Sequence, residues 1–331
     1  MSWKAWIAVF ALIASAAASS AQAAAPEANW HDSSPHRVRF LAVQKGVRLE
    51  ILDWGGTGRP IILVTGLTDT AHVFDEFAPK LTDTLHVIGI TRRGFGASSA
   101  PAKANYSADR LGDDIVTAIR LLKLHKPVLA GHSIAGEELS SVGTRHPESI
   151  SGLIYLDAAW VYAFDNGKAT PLQTYLQLKS HFGNPELTAA ERATFKSLQS
   201  AQARLVGVTL PEAEYHQHGA LAPDGRVRWR VEDEATDAIL AGTRRYTDLR
   251  VPVLALAAYP QTLGAVDANT AADVSAVRRQ WQTYKLRDLD NFESSVPGAR
   301  VVRMRANHYV FISNEAEVLR EIRAFVVGLP Q

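Results

Sequence analysis

The chain has 331 residues, 47% of them apolar and 21% charged, with 35 basic and 34 acidic side chains giving a formal charge of +1. That balance belongs to a folded globular protein rather than a disordered segment, and no stretch gathers the basic stripe that a nucleic-acid partner requires. Cysteine is absent, which removes disulfides, thiolate metal sites, iron–sulfur clusters and thiol nucleophiles together.

The chain opens on what reads as a leader. Lys4 gives a positive start, Ala5–Ala18 is an apolar run too short to span a bilayer comfortably, and Ala21-Gln22-Ala23 has the small-x-small form of a cleavage site. The pattern predicts an export signal over 1–23, cut after Ala23, and a periplasmic or secreted product. No later stretch reaches the roughly 18 apolar residues of a membrane span, so no stable span is expected after cleavage.

Two alternating strands are predicted at His36–Val43 and Val47–Trp54, around a turn at Gln44–Gly46. Six nearly continuous apolar runs follow: Pro60–Thr65, Leu85–Ile90, Pro127–Ala130, Gly152–Leu156, Val251–Ala257 and Ala299–Met304. Strands apolar on both sides are buried on both faces, as in a parallel sheet covered by helices. Helical stripes lie between them: Leu111, Ile115, Ile119 and Leu122 behind Ser107 as N-cap; Val274, Val277, Trp281 and Tyr284; and Val318, Ile322, Phe325 and Val326. The last has Asn314 and Glu317 at capping-box spacing and stops at Gly328 and Pro330. The alternation predicts a doubly wound α/β domain with a mostly parallel sheet.

The alternation breaks at 160–248. Helices are expected at Thr174–Phe182, Ala189–Leu205 and Glu234–Arg245, separated by prolines and the Pro223-Asp224-Gly225 turn, with no strand of the sheet. The organisation expected is therefore a core of 36–159 and 249–328 carrying a mostly helical cap at 160–248. Gly55-Gly56-Thr57-Gly58 lacks the Lys-Ser/Thr of a phosphate loop and reads as a turn.

Chemistry enters at Gly131-His132-Ser133-Ile134-Ala135-Gly136, between the strand Pro127–Ala130 and a helix from about Ala135 to Arg145. A serine on a sharp strand-to-helix turn projects its Oγ from the sheet edge, small neighbours let helix and strand approach, and the helix N-terminus favours negative charge. Only His308, of 11 histidines, follows the final strand, which suits a base in the chain order serine, acid, histidine. Two candidates exist for the acid: Asp157, at the tip of Gly152–Leu156, and Asp267, beyond Val251–Ala257. His216-Gln217-His218 reads as a polar face rather than a metal pair; Glu137 and Glu138 suit the helix dipole. Asp69, Arg92 and Arg93 sit on loops at the active edge.

On these residues the chain, from about His36 to Val327, resembles the α/β-hydrolase family. The resemblance places an oxyanion loop at Thr65-Gly66-Leu67, so that the backbone N–H groups of Leu67 and Ile134 hold a tetrahedral intermediate; Thr65 stands where the family often has histidine. Arg93-Gly94-Phe95-Gly96-x-Ser98 is similar to the family's arginine–glycine turn, and lacks the third glycine of a dinucleotide site. Much of the family takes its acid after the strand that follows the cap. Haloalkane dehalogenases are among the branches that take it where Asp157 lies, and the similarity extends to the Pro260 loop. Their activity does not transfer, since it needs an aspartate nucleophile where this chain has Ser133. The expectation is a serine hydrolase of esterase type, acting on a small-to-medium hydrophobic ester with Trp160, Tyr162 and Phe164 as pocket wall, and requiring neither cofactor nor metal. A lactonase, an amide or C–C bond hydrolase, a lipase, or a ligand-binding protein on the same fold are the alternatives.

Overall fold

The computed structural model describes residues 30–330 except 162, 165, 183–186, 223–226, 230–232, 243–245, 247 and 265–270. The export signal expected at 1–23, the acid candidate Asp267 and the wall candidate Tyr162 lie outside the described residues.

Eight strands form one sheet: β1 (Arg37–Gln44), β2 (Val47–Gly55), β3 (Arg59–Val64), β4 (Leu85–Ile90), β5 (Val128–His132), β6 (Gly152–Leu156), β9 (Val253–Thr262) and β10 (Arg300–Asn307). Their order is β1-β2-β4-β3-β5-β6-β9-β10, antiparallel at β1–β2 and β2–β4 and parallel elsewhere. All eight predicted runs are therefore strands of the predicted sheet. The unbroken apolar character of the central strands follows from two-sided burial. In β3, Ile61 and Leu63 belong to one core cluster and Ile62 and Val64 to the other; in β6, Ile154 and Leu156 face one side and Leu153 and Tyr155 the other. Each such burial contributes about 1.5–3 kcal/mol.

Helices α1 (Ala108–Leu121) and α2 (Ala135–Arg145) cover one face through Ile115, Ile119, Leu139 and Val142. Helix α9 (Glu315–Val327) covers the other through Val318, Ile322 and Val326, with the short turns Ala71–Phe74 and Ala78–Leu81 beside it. Ser107 caps α1 as expected, its Oγ accepting from Arg110 N. The capping box expected at Asn314 does not form. The four-residue helix α8 (Val310–Ser313) ends at Asn314, whose Oδ1 accepts from Ser313 Oγ at 3.0 Å; the side chain serves the preceding element instead.

Between β6 and β9 lie α3 (Leu172–Ser180), α4 (Phe195–Val206), α5 (Glu212–His218), β7 (Gly219–Leu221), β8 (Val227–Trp229) and α6 (Asp233–Ala241). The short antiparallel ribbon of β7 and β8 and the helix α5 depart from the expected pattern. Three-residue strands carry too little alternation to register against a helical background. Helix α4 starts six residues later than its periodicity suggests, because Thr194 and Ser197 form a reciprocal capping box there. After β9 comes α7 (Ala271–Ser295), 25 residues long. It anchors the segment after β6: Asp288 accepts from Thr170 N at 3.0 Å and Tyr175 Oη at 2.9 Å.

The core also buries charge. Arg93, 0% exposed, donates Nε to Asp114 Oδ2 at 2.6 Å and Nη2 to Oδ1 at 2.7 Å, with Arg110 Nη2 on the same Oδ1 at 2.7 Å. This pair locks the turn after β4 onto α1. Asp114→Ala strands the buried guanidinium and is expected to cost about 3–5 kcal/mol, whereas Arg93→Met with Asp114→Leu recovers most of it. Urea unfolding of the three proteins checks this; equal stability of Asp114→Ala and the parent contradicts it.

Candidate active site

The strand order sets β3, β5, β6, β9 and β10 side by side, so the loops after β3, β5, β6 and β10 meet at one edge of the sheet. Ser133 follows β5 directly and has φ +55°, a left-handed conformation that a non-glycine residue adopts only under constraint. The constraint is close packing of strand against helix. A Cβ on Gly131 would come 2.6 Å from Leu139 Cδ1 and 3.0 Å from Ala135 Cβ, and one on Gly136 would come 2.3 Å from Ala158 O. Small residues at 131, 135 and 136 let α2 start within one residue of the serine.

His308 lies just past β10. Its Nε2 is 2.9 Å from Ser133 Oγ and its Nδ1 2.7 Å from Asp157 Oδ2. The structure thus joins Ser133, His308 and Asp157 in one hydrogen-bond chain, the order that nucleophile, base and acid require. Asp157, at the end of β6, has φ +48°. Its N–H donates to Leu256 O at 2.8 Å and its carbonyl accepts from Trp160 Nε1 at 3.0 Å, so the backbone that aims the carboxylate is held from both sides.

Lys285 completes this arrangement and was absent from the sequence reading. Its Nζ reaches Asp157 Oδ1 at 2.8 Å and Oδ2 at 2.9 Å, donates to Gln261 Oε1 at 2.9 Å, and stands 4.7 Å from the Trp160 ring centroid. Both Lys285 and Asp157 are sealed from water. Ala258 N also donates to Asp157 Oδ1 at 3.0 Å, so both carboxylate oxygens are saturated. A signal existed in the sequence. Trp281, Lys285, Leu289 and Phe292 recur at helical spacing on α7, and Leu289 and Phe292 are buried; a lysine interrupting an apolar stripe needs a partner inside.

These contacts set the charges. Burial alone would raise the Asp157 carboxyl, but the Lys285 ammonium and the His308 hydrogen bond outweigh it and hold it down to about 2. Burial also pulls Lys285 below the usual lysine range, against the upward pull of Asp157. Burial, then the neighbouring His132, lower the His308 imidazole to about 4; Asp157 opposes them and Lys285 adds to the lowering. The His308 imidazole is therefore neutral over the physiological range, the state in which it can take a proton.

Leu67 and Ile134 belong to one apolar cluster, with Phe95, Tyr106, Leu111 and, from α6, Ile239. Among the described residues neither amide donates to a backbone carbonyl. The loop carrying Leu67 is tightly made: a Cβ on Gly66 would come 2.6 Å from Asp69 Oδ2 and 2.8 Å from His132 Nδ1, and Thr68 has φ +69°. Arg92 braces the loop, donating to Gly66 O and Thr65 O, both at 2.9 Å, and to Glu138 Oε1 at 2.6 Å. Asp69 accepts from Tyr309 Oη at 3.2 Å. Arg92, Arg93 and Asp69 are thus all committed to bracing. Helix α5 reaches the same loop, where Glu214 Oε1 accepts from Thr70 N at 2.8 Å and pairs with His218 at 3.1 Å.

Trp160 is 3% exposed and packs edge-on against Tyr175 and Trp281. Phe164, also 3% exposed, packs against Phe292 in the core. His216 stacks between Trp30 and Phe195, with centroids 3.8 Å away on each side.

Residues 59–281 match the family model described as the alpha/beta hydrolase fold. The chain is 28% identical over 102 residues to the 2-(acetamidomethylene)succinate hydrolase of Mesorhizobium japonicum, covering 31% of this chain and 36% of that protein. It is 28% identical over 136 residues to the 2-hydroxymuconate semialdehyde hydrolase of a Pseudomonas species, covering 40% and 47%. It thus spans less than half the length of these curated relatives. Among solved structures, an esterase from Exiguobacterium antarcticum superposes with a TM-score of 0.61 at 17% identity, over 87% of this chain and 99% of that one, a likeness of fold.

Removing Lys285 tests the electrostatics. Lys285→Met is expected to lower kcat/KM about 10- to 100-fold, as losses behind a reactive group do. In the parent, kcat/KM rises as pH climbs through about 4, where His308 loses its proton. Loss of the nearby cation moves that limb to higher pH. A pH–rate profile of both proteins checks this; an unmoved limb rules out the assigned coupling.

Proposed function

The chain belongs to the alpha/beta hydrolase family, and we propose that it is a hydrolase, as its relatives are named, and specifically an exported serine hydrolase of carboxylesterase type, acting on small-to-medium hydrophobic esters. The observation that carries this reading is the unbroken chain from Ser133 Oγ through His308 to Asp157, 2.9 and 2.7 Å long in its two links. Ser133 attacks the ester carbonyl carbon as His308 Nε2 takes the hydroxyl proton. The carbonyl oxygen becomes the oxyanion and accepts from the N–H groups of Leu67 and Ile134, which a helix N-terminus favours further. His308 then gives its proton to the departing alcohol, leaving an acyl-serine. A water, deprotonated by the same nitrogen, attacks the acyl carbon, and return of the proton to Ser133 releases the carboxylic acid. Asp157 remains ionised throughout and stabilises the imidazolium.

The ester preference is supported by the apolar cluster around the two amides. Leu67, Ile134, Phe95 and Ile239 pack together beside the two amides, surroundings that suit an apolar acyl or alkoxy group better than a charged one. Export is supported by the sequence alone, through Lys4, the apolar run and Ala21-Gln22-Ala23.

A fluorophosphonate probe, followed by peptide mass spectrometry, tests the nucleophile without a substrate guess. Labelling is expected on Ser133 and is lost in Ser133→Ala; a folded protein that takes no label overturns the reading. With p-nitrophenyl esters of increasing chain length, Asp157→Asn is expected to lose about 10⁴-fold in kcat, and charged or peptide substrates should turn over more slowly than neutral esters. Sequencing the secreted protein should give an N-terminus just after Ala23; one at Met1 removes the export claim.

A further inference from the structure

Away from the catalytic edge, Asp32, His36, His72 and Asp75 come together where the segment preceding β1 crosses the turn Ala71–Phe74, with one ligand atom from each within 4.8 Å of all the others. We propose that these four side chains form a structural site for one divalent transition-metal ion of the zinc class, clamping residues 32–36 to the base of the loop that carries Leu67.

The donor set fits. Two imidazoles and two carboxylates match the nitrogen and oxygen ligands of tetrahedral zinc, whereas calcium and magnesium prefer all-oxygen sites. With neutral imidazoles the four carry a charge of −2, which one divalent cation cancels. The spacing fits too. Bonds of about 2.0–2.2 Å place tetrahedral ligand atoms about 3.3–3.6 Å apart. Here His72 Nδ1 lies 3.1 Å from Asp32 Oδ2 and 2.8 Å from Asp75 Oδ2, and one ligand atom from each of the four residues lies within 4.8 Å of the others. His36, which now meets Asp75 through Nδ1 and Asp32 through Nε2, presents one of the two nitrogens to the ion, and the longer separations contract around it.

Two features point to an ion rather than a set of His–Asp hydrogen bonds. One nitrogen, His72 Nδ1, faces two carboxylates and has at most one proton to share between them. Its good hydrogen bond goes to Asp75 Oδ2 at 2.8 Å, and Asp32 Oδ2, buried and 3.1 Å from the same nitrogen, has no well-aligned donor. A metal held by that nitrogen satisfies both carboxylates at once. The surroundings are also those of a metal site. The other ring nitrogen of His72 faces Glu50 Oε1 at 3.7 Å, and Glu50 is fixed by Thr91 Oγ1 at 2.7 Å, the carboxylate-behind-histidine pattern that orients a ligating imidazole. Asp32 Oδ1 accepts from Ser34 N at 2.9 Å, and Ser34 Oγ accepts from Trp54 Nε1 at 3.1 Å, which turns Oδ2 inward.

The consequence for the protein is mechanical. The 71–74 turn follows the Gly66–Thr70 loop without a break, and Ala71 N donates to Thr91 Oγ1 at 3.0 Å. An ion here ties the strap ahead of β1 to that loop's downstream anchor.

The test uses the untagged full chain stripped with EDTA, titrated with Zn²⁺ by calorimetry while thermal unfolding is followed in parallel. One equivalent is expected to bind with a micromolar or lower Kd, and excess Zn²⁺ to raise Tm by about 5 °C or more. Asp32→Asn and His36→Ala, both on the strap, are each expected to weaken binding at least about tenfold, whereas the surface variant His181→Ala leaves it unchanged. If both strap variants unfold, X-ray absorption of the zinc-loaded parent decides, with two imidazoles in a four-coordinate nitrogen/oxygen shell expected. No saturable binding by the parent, binding unchanged in the strap variants, or a shell without two imidazoles overturns the proposal and leaves a His–Asp hydrogen-bond network.

Discussion

The carboxylate of Asp157 is the point on which the active edge depends. It sits at the end of a central strand, wholly buried, on a backbone with φ +48°. A charge in that position is costly unless every lone pair is engaged. Lys285, Ala258 N and His308 Nδ1 engage them all. Because Lys285 and Ala258 already fix the carboxylate, His308 meets an acceptor that cannot rotate away, and its ring is presented with Nε2 toward Ser133. The ion pair therefore turns an expensive buried charge into an orienting device. Its cost is carried by the packing of α7, whose Leu289 and Phe292 continue the same buried face.

Strain is concentrated at the same edge. Among the described residues, Thr68, Ser133 and Asp157 are three of the five non-glycine residues with positive φ, and they follow β3, β5 and β6, which are neighbours in the sheet. Each is held by something rigid: Thr68 by a loop that Arg92 braces, Ser133 by the close approach of α2 to β5, Asp157 by hydrogen bonds on both its N–H and its carbonyl. Local distortions of about 1–3 kcal/mol each persist only when the scaffold over-determines them. The two-sided core of the sheet supplies that excess, which is why a hydrophobic pattern far from the chemistry decides where the serine points.

This division explains what could be read from the sequence. Six of the strands were legible because burial on both faces writes itself as continuous apolar runs, the first two by their alternation, and Ser107 because capping is local. Ser133 and His308 stand out by their positions at strand ends and by chain order, whereas Asp157 and Asp267 compete for the acid on those grounds and only the family resemblance favours Asp157. The Asn314 cap failed because its side chain had a nearer partner in Ser313, a choice that spacing cannot report. Lys285 is harder to interpret: the apolar stripe on its helix shows that it needs a buried partner, but that partner lies 128 residues away, at Asp157, where helical spacing cannot point. The same holds for Glu214, whose carboxylate closes on Thr70 across 144 residues. Buried polar pairs at long range are where pattern-based reading is weakest, since they break the local rule and repair it in space.

The placement of the acid has a further consequence for the end of β9. In much of the alpha/beta hydrolase family that end supplies the carboxylate. Here the strand runs on through Thr262, and Gln261 takes the position beside the ion pair, accepting from Lys285 Nζ and, at 3.3 Å, from Trp281 Nε1, while its own N–H donates to Gln282 at 3.2 Å. With the Asp157 carboxylate on β6, the cation that balances it comes from α7, and a neutral amide at the end of β9 serves that cation better than a second carboxylate would. Two buried carboxylates around one lysine would leave a net negative charge in the core and raise the pKa of one of them. The glutamine instead satisfies the third proton direction of the ammonium without adding charge. The acid's position on β6, the lysine on α7 and the amide on β9 are therefore one linked choice, and changing any one of them disturbs the charge balance that the other two maintain.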